Sequence, residues 1–280
     1  MKSRREMISS YILNFILLLI SFTMIFPFVW TLCASFKTRT QIHNGNPFDL
    51  IPRPFTLRNY ERAWEMMPFT RFLINSLALS ILIPTLMVLL SSLSGYAFAK
   101  LKFKGRNVIF LAILSTMMMP GHVTLIPNYV IMRVLNWIDK YIALIVHPLF
   151  TGSSAFNIFF FRQFFLSIPK DLEDAAIIDG CTRARMFFSI VMPNSKPAIA
   201  TVAILSFRSV WNSFLWPSIV MNTYEKMTIT VGLQYFKAMV SGWGELLAGT
   251  TVALIPMLVV FIIFQKYFIR STLNTGFGGQ

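Results

Sequence analysis

The chain has 280 residues, 55% of them hydrophobic and only 13% charged, with 28 Phe and 16 Met. Its mean hydropathy is +0.63, whereas an average soluble domain carries roughly 25% charged residues. A globule of this size could not cover so much apolar surface, which excludes an ordinary soluble enzyme, a disordered chain and a disulfide scaffold and indicates a polytopic membrane protein.

The net charge of +14 is spread over short segments between apolar runs. Anionic lipid headgroups and the bias of basic residues toward cytoplasmic loops account for it, so no nucleic-acid partner is expected. Cys33 and Cys181 form no C-x-x-C pair, and His43, His122 and His147 are scattered. Neither a disulfide framework nor a Cys/His metal site is expected.

A span needs about 20 mostly apolar residues to cross a hydrocarbon core about 30 Å thick. Six segments qualify: 11–36, 72–99, 108–132, 141–163, 198–220 and 249–269. The first follows Lys2, Arg4 and Arg5, is too long for a signal-peptide core and lacks an A-x-A cleavage pattern, which predicts a retained helix. The loop over 37–71, with Pro52, Pro54 and several aromatics, is read as external, like the 221–248 segment. The third span holds Pro120-Gly121 and Pro127, which predicts a broken or bent helix of the kind tolerated beside a cavity. A plain structural kink is the alternative, with His122 a packed polar residue.

The loop over 164–197 reads differently. Four of the 11 acidic residues, Asp171, Glu173, Asp174 and Asp179, fall within nine positions of it. Pro169 suits the start of a helix, where its missing N–H is no loss, and the acids that follow favour the positive end of the helix dipole. Leu172, Ala175, Ala176 and Asp179 have helical spacing, which predicts a small-residue face. Gly180 then stops the helix by taking a left-handed conformation. A second short amphipathic piece sets Arg183 and Arg185 against Met186, Phe187, Ile190 and Val191, and Pro193 and Pro197 close it. Two short helices joined at a glycine form a knob that can dock in a groove of another protein. The alternative is an amphipathic helix lying on lipid, which the acid density opposes because the inner leaflet is itself anionic.

In the fifth span Arg208, Ser209, Asn212, Ser213 and Trp216 recur at steps of three and four, which predicts one polar face. An arginine in hydrocarbon costs at least about 2.5–3.5 kcal/mol, so it should face a cavity or a partner subunit. Hydroxyls and amides beside an aromatic ring suit a sugar path; pairing of Arg208 with a partner or with carbonyls is the purely structural reading.

All 11 acids lie outside the six spans, and no G-x-x-x-x-G-K-[ST] loop exists. A proton-coupled mechanism within the chain is therefore not expected, and energy for uphill transport must enter from a partner. Of the 25 Lys and Arg, 14 fall on the side of the termini and 10 on the other, with the cluster Lys100, Lys102, Lys104 and Arg106 on one short loop. Both termini are therefore expected in the cytoplasm.

The stretch from Pro169 to Pro197 closely resembles the EAA loop of the permease subunits of ABC importers, through Ala175-Ala176, Asp179-Gly180, Phe187, Ile190, Pro193 and Pro197. Asp174 stands where that family usually has Glu, and Cys181 where it usually has Ala. The resemblance extends over nearly the whole chain to the carbohydrate, maltose-type branch, as in Ser35-Phe36-Lys37-Thr38, Thr56-Leu57-Arg58-Asn59-Tyr60, Asn75-Ser76 and Gly95-Tyr96-Ala97-Phe98. Phe161-Arg162-Gln163-Phe164-Phe165 and Trp211-Asn212-Ser213-Phe214-Leu215-Trp216-Pro217 are similar too. The end Gly276-Phe277-Gly278-Gly279-Gln280 is similar to the permease tail that reaches between the ATPase subunits.

The resemblance implies an all-α membrane protein over 1–280, with six transmembrane helices and a cytoplasmic EAA coupling helix between spans four and five. It implies a bacterial cytoplasmic membrane, a second homologous permease, two ATPase subunits that bind ATP and Mg, an external solute-binding protein and a carbohydrate substrate. It also implies that Glu173, Asp174, Ala175, Ala176, Asp179, Gly180, Arg183, Phe187 and Pro193 couple the chain to the ATPase. No cofactor and no catalytic residue are expected in the chain itself. Two other classes stay in view: a self-sufficient secondary carrier, and a polytopic membrane enzyme acting on lipid-linked sugars, which would need clustered His, Asp or Cys at the membrane face.

Overall fold

A computed structural model describes residues 4–240 and 242–276, with side chains from 10 to 240 and from 242 to 264. Phe277-Gly278-Gly279-Gln280, the end of the expected tail, lies outside the described residues. All regular structure among the described residues is helical. Three helices are long and apolar enough to cross a membrane, Ser10–Ser35, Phe69–Lys100 and Trp243–Phe264. They coincide with the first, second and sixth expected spans.

The other three expected spans are interrupted. The third is split into the helix Arg106–Ser115, a single tight turn Thr116–Met118 and the helix Leu125–Val134. This is the break expected from its prolines, since Pro127 sits in the first turn of the second piece and Pro120 in the gap. The fourth is a pair, Tyr141–Leu149 and Gly152–Leu166, bent by 46° just after Pro148. The fifth runs as a helix only over Lys196–Trp211, breaks, and resumes over Leu215–Val220. Pro217 causes that break: in a continuous helix its ring would collide with the carbonyl of Ser213 four residues earlier. The carbonyl so freed accepts a hydrogen bond from Thr230 Oγ1 at 2.7 Å.

The residues gather into two compact units. One runs to Phe69 and takes in Leu233–Ile255. Its first helix is apolar all round, and its hydroxyls bond back into the helix: Ser21 to the Leu17 carbonyl and Thr31 to the Pro27 carbonyl, each at 2.8 Å. That removes the cost of an unpaired polar group in lipid. Beyond it, buried Asn59 donates to the carbonyls of Ser35 and Lys37 at 2.8 Å. Gly244 lies so close that a Cβ there would stand 2.5 Å from Asn59 Oδ1, so no side chain fits. Arg62 pairs with Glu245 at 3.4 Å, and Phe69 meets Phe236 edge to face at 4.9 Å. Parts of the two stretches read as external loops, 37–69 of 37–71 and 233–248 of 221–248, thus pack on one another.

The second unit comprises Thr70–Gly232 and continues from Pro256. Its core joins Tyr96, Phe161, Phe165, Phe187, Val191 and Val202. Gly95 allows this, because a Cβ there would lie 2.7 Å from Phe161 Cβ and 3.0 Å from the Arg162 nitrogen. Asn75-Ser76 also has a physical role here. Asn75 donates to the carbonyls of Glu225 and Met227 at 2.7 and 3.0 Å, and Ser76 Oγ accepts the amide of Ile229 at 2.7 Å.

Candidate functional site

The 164–197 loop folds as a helix, Lys170–Ile178, with Pro169 as its cap and Asp171 and Glu173 in its first turn. Asp179 ends it, and Gly180 follows with φ +73°. The amides of Gly180 and Cys181 close the end on the carbonyls of Ile177 and Ala176 at 3.0 and 2.9 Å, satisfying groups a helix terminus would otherwise strand. Thr182 then caps the next helix by accepting from the Arg185 amide at 3.3 Å. That helix runs over Arg183–Met186, loosens into one wide turn over Phe187–Val191 and finishes over Met192–Asn194. The chain turns 80° at Ser195 before entering Lys196–Trp211. Contrary to the expectation that Pro193 and Pro197 close this piece, neither ends an element: each sits in the first turn of a helix, one on either side of Ser195.

The nine residues expected to couple the chain to an ATPase divide into two sets. Asp174, Ala175, Asp179, Gly180, Arg183 and Pro193 are exposed, whereas Glu173, Ala176 and Phe187 are buried. The expected small-residue face is corrected accordingly. Leu172, Ala175 and Asp179 share the open side, while Ala176 turns inward with Glu173 three residues before it. Glu173 pairs with Lys100, whose Nζ also donates to the Ile168 carbonyl at 3.1 Å. Phe187 packs against Tyr96 with the rings tilted by 53° and their centroids 5.2 Å apart. The buried set roots the knob in the helices, and the exposed set forms its outer surface. Nothing in the spacing marked Lys100 as the partner of Glu173, since 73 residues separate them.

The polar stripe of the fifth span is likewise divided. The break after Trp211 means that Arg208, Ser209, Asn212, Ser213 and Trp216 do not share one helical face, as their spacing had implied. Ser209, Ser213 and Trp216 line a cavity of about 140 Å3, with Ile83, His147 and Thr151 among its other walls. Arg208 and Asn212 are exposed and line neither this cavity nor its neighbour. Asn212 Nδ2 instead donates to the Arg208 carbonyl at 3.0 Å. Trp216 is buried, donates to the Ala143 carbonyl at 3.0 Å and stacks on His147 with ring centroids 4.0 Å apart. His147 belongs to the site although its sequence surroundings are wholly apolar; the only signal was a polar ring inside an apolar run. Among the described residues no three of His, Cys, Asp or Glu gather as metal ligands would.

The family described as binding-protein-dependent transport system inner membrane component matches residues 87–274. The arabinooligosaccharides transport system permease protein AraQ of Halalkalibacterium halodurans is 36% identical over 285 residues, covering 100% of both chains. A chain from the crystal structure of a bacterial ABC transporter involved in the import of the acidic polysaccharide alginate superposes with a TM-score of 0.80. Its identity is 24%, over 96% of this chain and 99% of that one. A chain of the bacterial alginate ABC transporter, crystallised with an alginate pentasaccharide-bound periplasmic protein, gives a TM-score of 0.64 at 17% identity, covering 95% and 96%. The fold is that of an ABC transporter permease.

Proposed function

This chain belongs to the family of binding-protein-dependent transport system inner membrane components, and we propose that it is the permease subunit of an ATP-driven importer that moves a carbohydrate across a bacterial cytoplasmic membrane. In this reading a second, homologous permease completes the membrane pathway, and an external binding protein delivers the solute. Two ATPase subunits bind ATP and Mg; this chain does no chemistry of its own. Membership of a transport family removes the ground for the membrane-enzyme alternative, and the lack of any acid in the spans weighs against a proton-coupled carrier. The relative from Halalkalibacterium halodurans is named for arabino-oligosaccharide transport, which supports carbohydrate as the cargo class. The alginate transporter crystallised with its periplasmic protein supports a binding-protein partner.

We read six crossings: three long helices, the bent pair over 141–166, the interrupted segment over 106–134 and the broken segment over 196–220. Both termini, the basic cluster from Lys100 to Arg106 and the 164–197 loop then face the cytoplasm. Arg208, exposed within a span, meets the second permease or water of the pathway, since it cannot face lipid cheaply.

The observation that carries this reading is the loop itself: an exposed helix, a left-handed glycine and a second helix, held by a buried ion pair and a buried phenylalanine. Such a knob moves as one body with the membrane helices, as a lever between an ATPase and a pathway must. The test is a pull-down of the chain from its native membranes, comparing wild type with Gly180→Arg. Wild type should bring down an ATPase and a second permease, and the variant should lose the ATPase while keeping the permease. Recovery of no ATPase with wild type overturns the reading.

A further inference from the structure

The 140 Å3 cavity has walls of two kinds. Leu79, Ile83, Met87, Leu144, Pro148 and Pro217 are apolar, and His147, Thr151, Ser153, Ser209, Ser213 and Thr228 can hydrogen-bond. No Asp, Glu, Lys or Arg lines it. Thr151 and Thr228 already use their hydroxyls, toward the Pro148 carbonyl and Thr230 Oγ1. The hydroxyls of Ser153, Ser209 and Ser213 have no side-chain hydrogen bond among the described residues. Ser153 and Ser209 are exposed and Ser213 is half-buried, so these hydroxyls stand open to water or a solute.

Size narrows the occupant. A cavity of roughly 150 Å3 accommodates one six-membered ring. A second cavity of about 220 Å3 shares Met87, Ser153 and Ser209 with the first and adds Ser206, whose hydroxyl accepts from Asn157 at 3.3 Å. The shared residues make the two spaces neighbours, so a chain of rings could extend from one to the other.

Charge narrows it further. A carboxylate or phosphate here would be desolvated with no cation on the wall to meet it. The nearest cation along the helix, Arg208, lines neither space. An uncharged sugar meets both kinds of wall, its C–H faces lying on the apolar groups and its hydroxyls reaching the serines. We propose that this cavity is a subsite for one uncharged sugar ring, bounded by the stacked His147–Trp216 pair, and that it selects against uronates and sugar phosphates. The proposal rests on the import reading above.

Trp216 supplies the signal for a test. The solubilised importer, with its partner subunits but without binding protein, is titrated with methyl β-glucoside and with sodium glucuronate while tryptophan fluorescence is followed. The neutral glycoside should give a saturable change that Trp216→Phe abolishes. His147→Phe, which keeps a ring for stacking but loses its hydrogen bonds, should raise the half-saturation concentration about tenfold. Glucuronate should give no saturable change. Glucuronate binding as tightly as the glycoside overturns the proposal, as does a wild type without a saturable signal or a signal that survives Trp216→Phe. ATP-dependent uptake by proteoliposomes holding the whole importer and its binding protein separates the two readings. Uptake of a carbohydrate without the fluorescence signal keeps import and rejects the subsite. The signal without ATP-dependent uptake of any carbohydrate rejects import itself.

Discussion

Lys100 and Glu173 form an ion pair whose side chains are only 7% and 11% exposed. It joins the last turn of the Phe69–Lys100 helix to the first turn of the Lys170–Ile178 helix. Glu173 Oε1 has no hydrogen bond beyond this contact, so removing Lys100 strands a buried charge.

Breaking one partner of such a pair should therefore cost more than the pair contributes, about 3–5 kcal/mol. Glu173→Ala and Lys100→Met should each lower the melting temperature of the solubilised protein strongly. The double variant should lose clearly less than the sum of the two, because no lone charge remains. Additive losses would show that the two side chains do not act as a unit.

At Gly95 the Phe69–Lys100 helix lies close against the Gly152–Leu166 helix. A methyl group there meets backbone and a Cβ, neither of which can swing aside. Gly95→Ala should destabilise by about 1–3 kcal/mol through overpacking, read as a lower melting temperature and lower membrane yield. Unchanged stability would mean that the two helices part easily.

Gly180 is the opposite case, since a Cβ there meets nothing within 4 Å and only its φ of +73° is restrictive. Gly180→Asn, which tolerates the left-handed region, should leave the melting temperature nearly unchanged. Gly180→Val should lower it, by about 1–2 kcal/mol of backbone strain. This series separates loss of the turn from loss of ATPase docking when each variant's copurified ATPase is measured.

Asp139 ties the 133–140 segment to the 221–228 segment. Its carboxylate accepts the amides of Asn222 and Thr223 at 3.0 Å, the Thr223 hydroxyl at 2.6 Å and Lys226 Nζ at 2.8 Å. Burial alone would raise its pKa, but Lys226 and the Thr223 and Asn222 donors outweigh that and hold it below the ordinary carboxylate range. A depressed folded pKa means that the tie contributes fully above the unfolded value of about 4 and is lost as pH falls through the folded one. Amide protection over 221–228, corrected for the intrinsic pH dependence of exchange, should therefore stay constant from pH 7 to about 5 and fall only in stronger acid. Asp139→Asn should remove that acid step. Lys226 is 39% exposed, so solvent screens the charge and Asp139→Ala should cost only about 1 kcal/mol.

Much of this protein was legible in the sequence because the signals were local. Apolar runs long enough for a membrane, the Pro169 start, the acid-rich first turn and the Gly180 stop each act within a few residues, and the helices follow them. The broken third span was likewise announced by Pro120 and Pro127. The break of the fifth span had a local cause too, Pro217 four residues after Ser213, but the regular spacing of the polar residues concealed it. Tertiary structure alone decided which side chains face inward, because burial depends on neighbours far along the chain. Glu173 and Ala176 face away from the open side of the loop, Glu173 against Lys100, which lies 73 positions earlier. Only the bend after Pro148 and the interruption before Trp216 bring His147 and Trp216 into stacking, 69 positions apart, and with them form a ring-sized cavity that no periodicity encodes.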